Sequence, residues 1–277
     1  MERVTERAER VREKWDPDSV HDLRVALRRC RTMAEALNQV NPDSGWRRIK
    51  KVTKRLFHSL GELRDTQVER EWVKKLAVPK EPLRRRLLRT LSQREKEERA
   101  ASRKALGDFG AKEWKKLSRK LDRKAQLFPF ESIVFQRLAL AKLSESTDLF
   151  ASARRRRSSV AWHRARIGLK QFRYIMENFM PRKHAMWSAD IKRLQDLLGD
   201  VHDLYVLRSD FRRNTMAVDP QLRAGWLAKI EEERKKRLVE VIEKTSGSGS
   251  LLLVWRSGLE IAHSISPSTP LLNRRSA

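Results

Sequence analysis

The amino-acid sequence predicts an all-α protein, and three observations support that prediction. Ten glycines and nine prolines in 277 residues leave few breaks in the chain, since these two residues are the strongest interruptions of regular structure. Apolar residues recur at helical spacing over long stretches, whereas the strict alternation typical of strands is nowhere sustained. A hydrophobic content of 39% is sufficient for a core in a chain of this length. We therefore expect helices packed into one large bundle or two smaller ones.

Helices of the first half begin at recognisable signals. Asp16 followed by Pro17 is an N-cap residue with proline at the first helical position. A second helix is expected from about Ser44, because the apolar residues from Ile49 to Leu63 fall within about 80° of one helix surface. The helices predicted for this half cover about 17–37, 44 to the prolines at 79 and 82, 82–106 and 111–126.

The same plan restarts after Pro129. The run Arg154–Arg157 is expected to form a basic loop, and alternating Ser and Gly at 246–250 predict a flexible link. The helices predicted here cover about 131–151, 159–179 and 185–200, with two more up to residue 244. We expect 1–127 and 128–262 to form two similar bundles of about four helices each, and 263–277 to form a loose tail.

One pattern of cationic residues occurs twice. The two copies lie 142 positions apart and consist of His21, Arg24, Arg28 and Arg31, and of His163, Arg166, Lys170 and Arg173. The spacing 0, 3, 7, 10 confines each set to about 80° of a helix surface, in a row about 15 Å long. Like charges at i, i+3 and i+4 repel one another. We therefore expect an anionic ligand on these rows rather than the solvated helix face that a single copy would suggest.

A second block of sequence also repeats, at an offset of 138. The segment 60–65 matches 198–203, and the cations Lys54 and Arg55 recur as Lys192 and Arg193. Two blocks in one order with nearly equal offsets indicate a duplicated helical bundle. These four cations and Lys51 are further candidates for anion binding, although Lys51 aligns with Ala189, so the two halves differ there.

Several other repeated residues are expected to have structural roles. Glu35 and Glu177 each follow an arginine of a row by four residues, a spacing that predicts salt bridges. Gly61 and Gly199 are expected to allow close helix packing or a bend. Asp65 and Asp203 are expected to cap or pair locally. Arg64 has His202 as its counterpart, which keeps a possible cation in both halves.

The charge balance selects the class of partner. A formal net charge of +27 predicts a polyanion, which could be nucleic acid, acidic lipid or polyphosphate. Cys30 is the single cysteine, so intrachain disulfides and thiolate zinc sites are excluded. Arginines surround His21 and His163 and oppose a metal cation. We therefore predict no metal and no cofactor.

Other classes of protein are disfavoured by what the sequence lacks. Residues 1–14 contain no apolar segment typical of a signal peptide, and the longest apolar run, Leu251–Trp255, is too short for a membrane span. No nucleophile–base pair, Gly-rich phosphate loop or acidic cluster for Mg²⁺ is visible. We expect a soluble cytoplasmic protein that binds its ligand without catalysis, and the sequence leaves its oligomeric state open.

The two repeated motifs, H-x-x-R-x-x-x-[RK]-x-x-R and L-x-x-x-L-G-x-x-x-D, resemble those of the CHAD family, the conserved-histidine α-helical domain. The resemblance extends from about residue 3 to 262. It implies two four-helix bundles related by a pseudo-twofold axis, with basic residues facing a groove or pore between them. It also implies binding of inorganic polyphosphate and association with polyphosphate granules.

The chemistry of the rows agrees with that implication. Arginine presents a planar fork of donors that matches phosphate oxygens, and it stays charged at physiological pH. No base-stacking aromatic residues interleave the rows, which favours phosphate over nucleobases as the recognised group. The alternative that the residues leave open is a protein that binds the backbone of RNA or DNA with the same charges.

Overall fold

The computed structural model describes residues 2–215 and 218–260, and within these ranges every regular element is an α-helix. The all-α prediction is therefore confirmed for the described residues; the whole of the expected tail, 263–277, lies outside them, as do 261 and 262. The helices are α1 (Glu2–Glu13), α2 (Pro17–Val40), α3 (Ser44–Leu76), α4 (Pro82–Gly107), α5 (Ala111–Ala125), α6 (Ile133–Arg156), α7 (Ser159–Phe179), α8 (Pro181–Asn214), α9 (Pro220–Thr245) and α10 (Leu251–Glu260).

The predicted start signals act as expected at the motif helix α2. The Asp16 side chain accepts hydrogen bonds from the backbone N–H groups of Asp18, at 3.0 Å, and Ser19, at 2.8 Å. These bonds satisfy two of the donors that have no partner inside the helix. The next helix, α3, begins at Ser44 as predicted.

The helices differ from the prediction at three places in the chain. The first helix, α1, was not predicted, although its Val4, Ala8 and Val11 are buried at helical spacing. The expected basic loop belongs mostly to the last turn of α6, where cations are favoured by the helix dipole, and Arg157 ends that helix with φ of 50°. Helix α8 is far longer than the expected 185–200.

The number of helices also differs from the expectation. Within the described ranges five helices precede residue 127 and five follow it, instead of about four in each half. The difference in the first half is α1, and in the second half it is α10, which follows the predicted link at 246–250. A single helix, α9, occupies the region where two were expected.

The packing of the helices brings the two halves of the chain together. Helix α2 packs against α3, and α7 packs against α8. Helix α2 also contacts α7, and α3 contacts α8. One continuous core contains buried residues from both halves, among them Trp46, Trp114, Phe172 and Trp255. The contact between α2 and α7 brings together the two helices that carry the cationic rows.

A second, smaller core lies at the far ends of the long helices. Trp72 of α3, Leu91 of α4, Phe211 of α8 and Trp226 of α9 pack within it, and the rings of Phe211 and Trp226 stack with centroids 5.5 Å apart. The two cores together hold α3 and α8 in fixed positions along their length. No helix in the described part of the chain is long and apolar enough to cross a membrane.

Candidate functional site

The cationic row of each motif helix lies beside its buried face. Leu23 and Leu27 of α2 and Leu169 and Phe172 of α7 are fully buried in the shared core. The row residues fall outside these buried positions: His21 and His163 at the start of the rows are exposed, whereas the other six are half-buried. The core therefore fixes the rotation of each helix and thereby the direction in which its row points.

Four cations from the two rows form the centre of the site, and we call Arg24, Arg28, Arg166 and Lys170 the cation cluster. Burial lowers the pKa of all four side chains, and repulsion among them lowers it further. The pKa of Lys170 falls to about 7, with Arg166, Arg28 and Arg24 as the contributing charges. The fold thus holds these cations close together at an energetic cost.

Three guanidinium groups of the cation cluster carry donors without acceptors. The Nε atoms of Arg24, Arg28 and Arg166 are buried and have no hydrogen-bond partner among the described residues. A buried donor without a partner costs about 1–3 kcal/mol. The Arg28 guanidinium carbon lies 5.4 Å from the ring centroid of Tyr174 on α7, so an aromatic face from the other half of the chain supports this side chain.

Two carboxylates belong to the site, contrary to the expectation that they act locally. Asp65 of α3 and Asp203 of α8 both interact electrostatically with Arg166 and Lys170, and with each other. Asp65 keeps contact with solvent, yet enough protein surrounds it for desolvation to raise its pKa, and burial raises the pKa of Asp203 to about 6. These two carboxylates neutralise only part of the charge of the cation cluster.

The arginines at the far ends of the rows are hydrogen-bonded to the neighbouring helices. Arg31 donates to Thr53 Oγ1 at 2.8 Å and to the backbone carbonyl of Lys50 at 2.7 Å, and its guanidinium carbon lies 4.9 Å from the Phe57 ring centroid. Arg173 donates to Gln195 Oε1 at 2.6 Å. These contacts leave Arg31 and Arg173 fewer free donors than the cation cluster has.

One of the two predicted salt bridges to the rows is present. Glu177 Oε2 lies 3.6 Å from Arg173 Nε, and Glu177 also pairs with Arg29 of α2. The prediction for Glu35 is wrong, because its carboxylate pairs with Lys50 Nζ at 3.5 Å instead of with Arg31. Lys50 lies on the side of α3 that faces α2, next in sequence to the candidate Lys51. Lys50 is not one of the repeated residues, so the repeat did not indicate it as the partner of Glu35.

The histidine ends of the rows differ between the two halves. The pKa of His21 is lowered by burial and by the charge of Arg64, whereas His163 Nδ1 lies 3.3 Å from His202 Nδ1. Burial and the charge of Arg166 lower the pKa of His202 to about 4, so this ring is neutral near pH 7. The lowered pKa disfavours the cationic form of His202, so this ring differs in charge from its counterpart Arg64.

The further candidates on α3 and α8 lie outside the cation cluster. Arg55 pairs with Asp108 at 2.7 Å, Lys192 pairs with Asp196 at 2.6 Å, and both side chains are more than half exposed. Arg193 donates twice to Glu240, at 2.9 Å each. No carboxylate among the described residues lies within 4 Å of the exposed Lys54.

Lys51 occupies a different position from the other candidates. It lines an open recess of about 610 Å³ together with Arg47, Arg48 and Glu113, at the junction of α3 and α5. Its role in anion binding, like those of Lys54, Arg55, Lys192 and Arg193, stays a prediction.

The repeated glycines do not permit a close approach of helices. A Cβ atom on Gly61 would meet the Arg24 guanidinium at 3.8 Å, an ordinary contact, and one on Gly199 would meet no atom within 4 Å. Both helices continue through these positions without interruption. Glycine inside a helix costs about 1 kcal/mol relative to alanine. The packing expectation is therefore wrong, since Gly61 faces a side chain of α2 at an ordinary distance and Gly199 faces open space.

The donor set of the site suits an anion and not a metal ion. In the ranges that the structure covers, no group of three or more His, Cys, Asp or Glu side chains could hold a metal. The cation cluster offers guanidinium and ammonium donors, which bind phosphate or carboxylate oxygens through charge-assisted hydrogen bonds. The sequence missed Asp65, Asp203 and Tyr174 as members of the site, because their contacts with the rows come from other helices or from the other half of the chain.

Comparison with known proteins yields a family match and a fold match. A family model described as the CHAD domain matches residues 1–212. Among solved structures, the CHAD domain from the plant Ricinus communis is similar, with a TM-score of 0.58 and 22% identity over 94% of this chain and 87% of that one. That similarity concerns the fold alone. No curated protein matches the sequence.

Proposed function

The chain belongs to the CHAD domain family, and we propose that it binds inorganic polyphosphate on the rows of α2 and α7 without acting as an enzyme. The cation cluster is the observation on which this proposal rests. Its four half-buried cations repel one another, their pKa values are lowered, and three of them retain Nε donors without acceptors. A bound polyanion would supply the missing negative charge and the missing acceptors.

A linear chain of phosphates matches the shape of this donor set. Each row extends about 15 Å along its helix, and a polyphosphate carries a negative charge on every phosphate unit along its length. We infer that Arg24, Arg28, Arg166 and Lys170 contact these phosphates directly. Arg31 and Arg173, which are fastened to Thr53 and Gln195, would guide the chain at the ends of the rows.

The arrangement of the two halves of the chain around the rows is also part of this proposal. We propose that 1–127 and 128–262 are duplicated bundles, and that the rows of α2 and α7 line a groove between them. The contacts α1–α2, α2–α3 and α3–α4 have counterparts in α6–α7, α7–α8 and α8–α9. The open space in front of Gly199 would then remain clear for the ligand, and Gly61 would leave room for the Arg24 guanidinium.

Phosphate recognition is favoured over recognition of nucleic acid. The aromatic rings nearest the rows, Phe57 and Tyr174, lie beside guanidinium groups of Arg24, Arg28 and Arg31. They are therefore not free to stack on bases, as single-stranded nucleic acid binding requires. We propose that the protein resides in the cytoplasm at polyphosphate granules, where such a ligand is concentrated.

The test reverses two charges of the cation cluster together, with Arg28→Glu and Lys170→Glu. We expect the affinity for polyphosphate to fall by about 100-fold or more, because lost and repulsive charge contacts at a site of this kind each cost about 2–5 kcal/mol. Helicity, measured by circular dichroism, should be unchanged, since the reversal relieves repulsion among the remaining cations. The matched control is Arg85→Glu with Lys96→Glu, two exposed cations of α4.

Competition identifies the class of polyanion. Polyphosphate should displace RNA at a far lower phosphate concentration than RNA needs to displace polyphosphate. The opposite ranking would favour the nucleic-acid alternative. Survival of tight binding in the Arg28→Glu, Lys170→Glu double variant would show that the rows are not the site.

A further inference from the structure

Helix α5 carries a second cationic surface, separate from the rows. Six lysine and arginine residues are exposed along one side of it, and no carboxylate of the described residues lies within 4 Å of them. They recur at spacings of three and four residues over about 16 Å of helix. We call this set the α5 surface; it consists of Lys112, Lys115, Lys116, Arg119, Lys120 and Arg123.

The charge of the α5 surface is not compensated as the charge of other helices is. On α9, Arg234 pairs with Glu231 at 2.6 Å, and Lys236 pairs with Glu233 at 3.0 Å. The six cations of the α5 surface have no such ion pair among the described residues, since the nearby Asp43 pairs with Lys124 and interacts with Lys120 only at longer range. They repel one another at i, i+3 and i+4. Burial of Trp114 on the opposite side of α5 offsets that cost.

The fold does not require this concentration of charge. Helix α10 follows the other helices of the second half as α5 follows those of the first, and each packs against the first helix of its half, α6 or α1. Arg256 is the single Lys or Arg within α10. A compact helical half can therefore be completed by a nearly uncharged helix, so the α5 surface has a reason other than folding.

The α5 surface connects to the rows across the outer side of α3. Four cations lie side by side around about 100° of the α3 surface. From the side that meets Arg31 to the side that meets α5, they are Lys50, Lys54, Arg47 and Lys51. Arg47 and Lys51 line the recess that Glu113 of α5 borders. The cations of this face therefore form a continuous path from the row of α2 to the α5 surface.

We propose that the α5 surface, extended by Arg47 and Lys51, is a second binding surface for the same polyphosphate chain, and that it selects for long chains. The proposal rests on the proposed function. A chain held on the rows presents its remaining phosphates to the α5 surface at a high effective concentration, so the second contact adds affinity when the chain is long enough to reach. Lysines, which dominate this surface, are flexible point charges that follow a flexible chain without fixed geometry.

An anionic lipid surface fits these observations less well. Peripheral helices that insert into membranes use an apolar face together with a basic one. The apolar face of α5, with Trp114, Leu117 and Leu121, is buried in the protein core and unavailable for insertion. The continuity with the rows has no function in lipid binding.

The test replaces all six cations of the α5 surface by glutamine, which keeps helix propensity. The control replaces six exposed cations spread over α4 and α9 and removes the same net charge: Arg85, Arg89, Lys96, Lys104, Lys229 and Lys235. Binding of long-chain polyphosphate and of tripolyphosphate is measured over a range of salt concentrations. Tripolyphosphate is too short to span both surfaces, so its affinity contains no linked second contact, and its tightest binding reports on the rows.

For the α5 variant we expect a loss of about tenfold or more in long-chain affinity, within the range that a linked second contact supplies. The log–log salt dependence should become shallower by about 4, at about 0.7 for each of six contacts to a single-stranded polyanion. The affinity for tripolyphosphate should stay unchanged. The control variant should keep its preference for long chains.

The outcomes separate this inference from the proposed function. If the α5 variant and the control bind long chains equally, the α5 surface is not a polyphosphate surface, while loss of tripolyphosphate binding in Arg28→Glu, Lys170→Glu still supports the rows. If that double variant binds tripolyphosphate like the original protein, the proposed function fails. Loss of binding to phosphatidylglycerol vesicles by the α5 variant, with long-chain binding intact, would assign the surface to lipid and overturn the inference.

Discussion

The cation cluster at the α2–α7 contact and the charges around Arg94 at the α4–α8 contact both join the two halves of the chain. Arg94 donates to Asp210 Oδ2 at 2.8 Å and to Thr66 Oγ1 at 2.9 Å, and it pairs with Glu69. We call Arg94, Glu69 and Asp210 the Arg94 network. The cation cluster has four cations for two carboxylates, whereas this network has more carboxylate than guanidinium.

The pKa values of the arginines report this difference. Burial would lower the pKa of Arg94, but hydrogen bonds and charge from Asp210 and Glu69 raise it overall. The pKa values of Arg24, Arg28 and Arg166 are lowered, because their carboxylate neighbours do not offset burial. We infer that the Arg94 network stabilises the fold. We also infer that the cation cluster lowers the stability of the unliganded protein and that a bound anion would offset this cost.

The largest expected effect is on stability, from Arg94→Met. The change leaves the buried Glu69 without its guanidinium partner, whereas Asp210 keeps its pair with Arg213. Breaking a buried ion pair in this way costs about 3–5 kcal/mol. Urea denaturation at pH 8 measures the loss. Burial raises the pKa of Glu69 to about 7, so this carboxyl is largely protonated at pH 5, and the loss there should be smaller. A loss below about 1 kcal/mol at pH 8 would contradict the structural role, since that is the size of ordinary surface changes.

The second prediction concerns Lys170→Met and has the opposite sign. Removing a buried cation that lacks sufficient counter-charge should raise the free energy of unfolding by about 1–4 kcal/mol, the range found when apolar residues replace buried ionic groups. Polyphosphate affinity should fall by about tenfold, in line with the loss of one charged contact. Urea denaturation and calorimetric titration measure the two effects, with Lys96→Met as the exposed control. Destabilisation by Lys170→Met would remove the contrast between the two regions.

The smallest expected effect is a pH dependence of binding. Lys170, with a pKa of about 7, gains a proton as the pH falls from 8 to 6, and Asp203, with a pKa of about 6, begins to lose its negative charge. Both changes add positive charge beside Arg24, Arg28 and Arg166, so affinity should rise a few-fold over this interval.

Two variants sharpen the pH prediction. Lys170→Met should remove the part of the rise near pH 7, and Asp203→Asn should remove the part near pH 6 and raise affinity at pH 8. Calorimetric titration at constant ionic strength measures these changes, because salt screens the same interactions. An affinity that falls toward pH 6 would contradict the assignment of these two groups to the binding site.

The sequence predicted local features of the fold well and longer-range ones poorly. The cap at Asp16 and the start of α3 depend on residues within about four positions, and both are as expected. Helix α1 was missed because its many charges obscured the spacing of Val4, Ala8 and Val11. The length of α8 was missed because its end is stabilised by packing of Phe211 in the second core.

The sequence alone specifies the class of fold, the two cationic rows and the side of the helix on which each row lies. These properties follow from helical periodicity and from the identity of nearby residues. It also determined the excess of positive charge, which implies a polyanionic partner.

Which cations have counter-charges depends on the tertiary structure. Arg94 and Asp210 are 116 positions apart, and Asp65 approaches Arg166 and Lys170 from a different helix of the other half. Burial and neighbouring charges set the free energy of each charged group, and both depend on how distant helices pack. Arginines thus have sufficient counter-charge in the Arg94 network and too little in the cation cluster of α2 and α7.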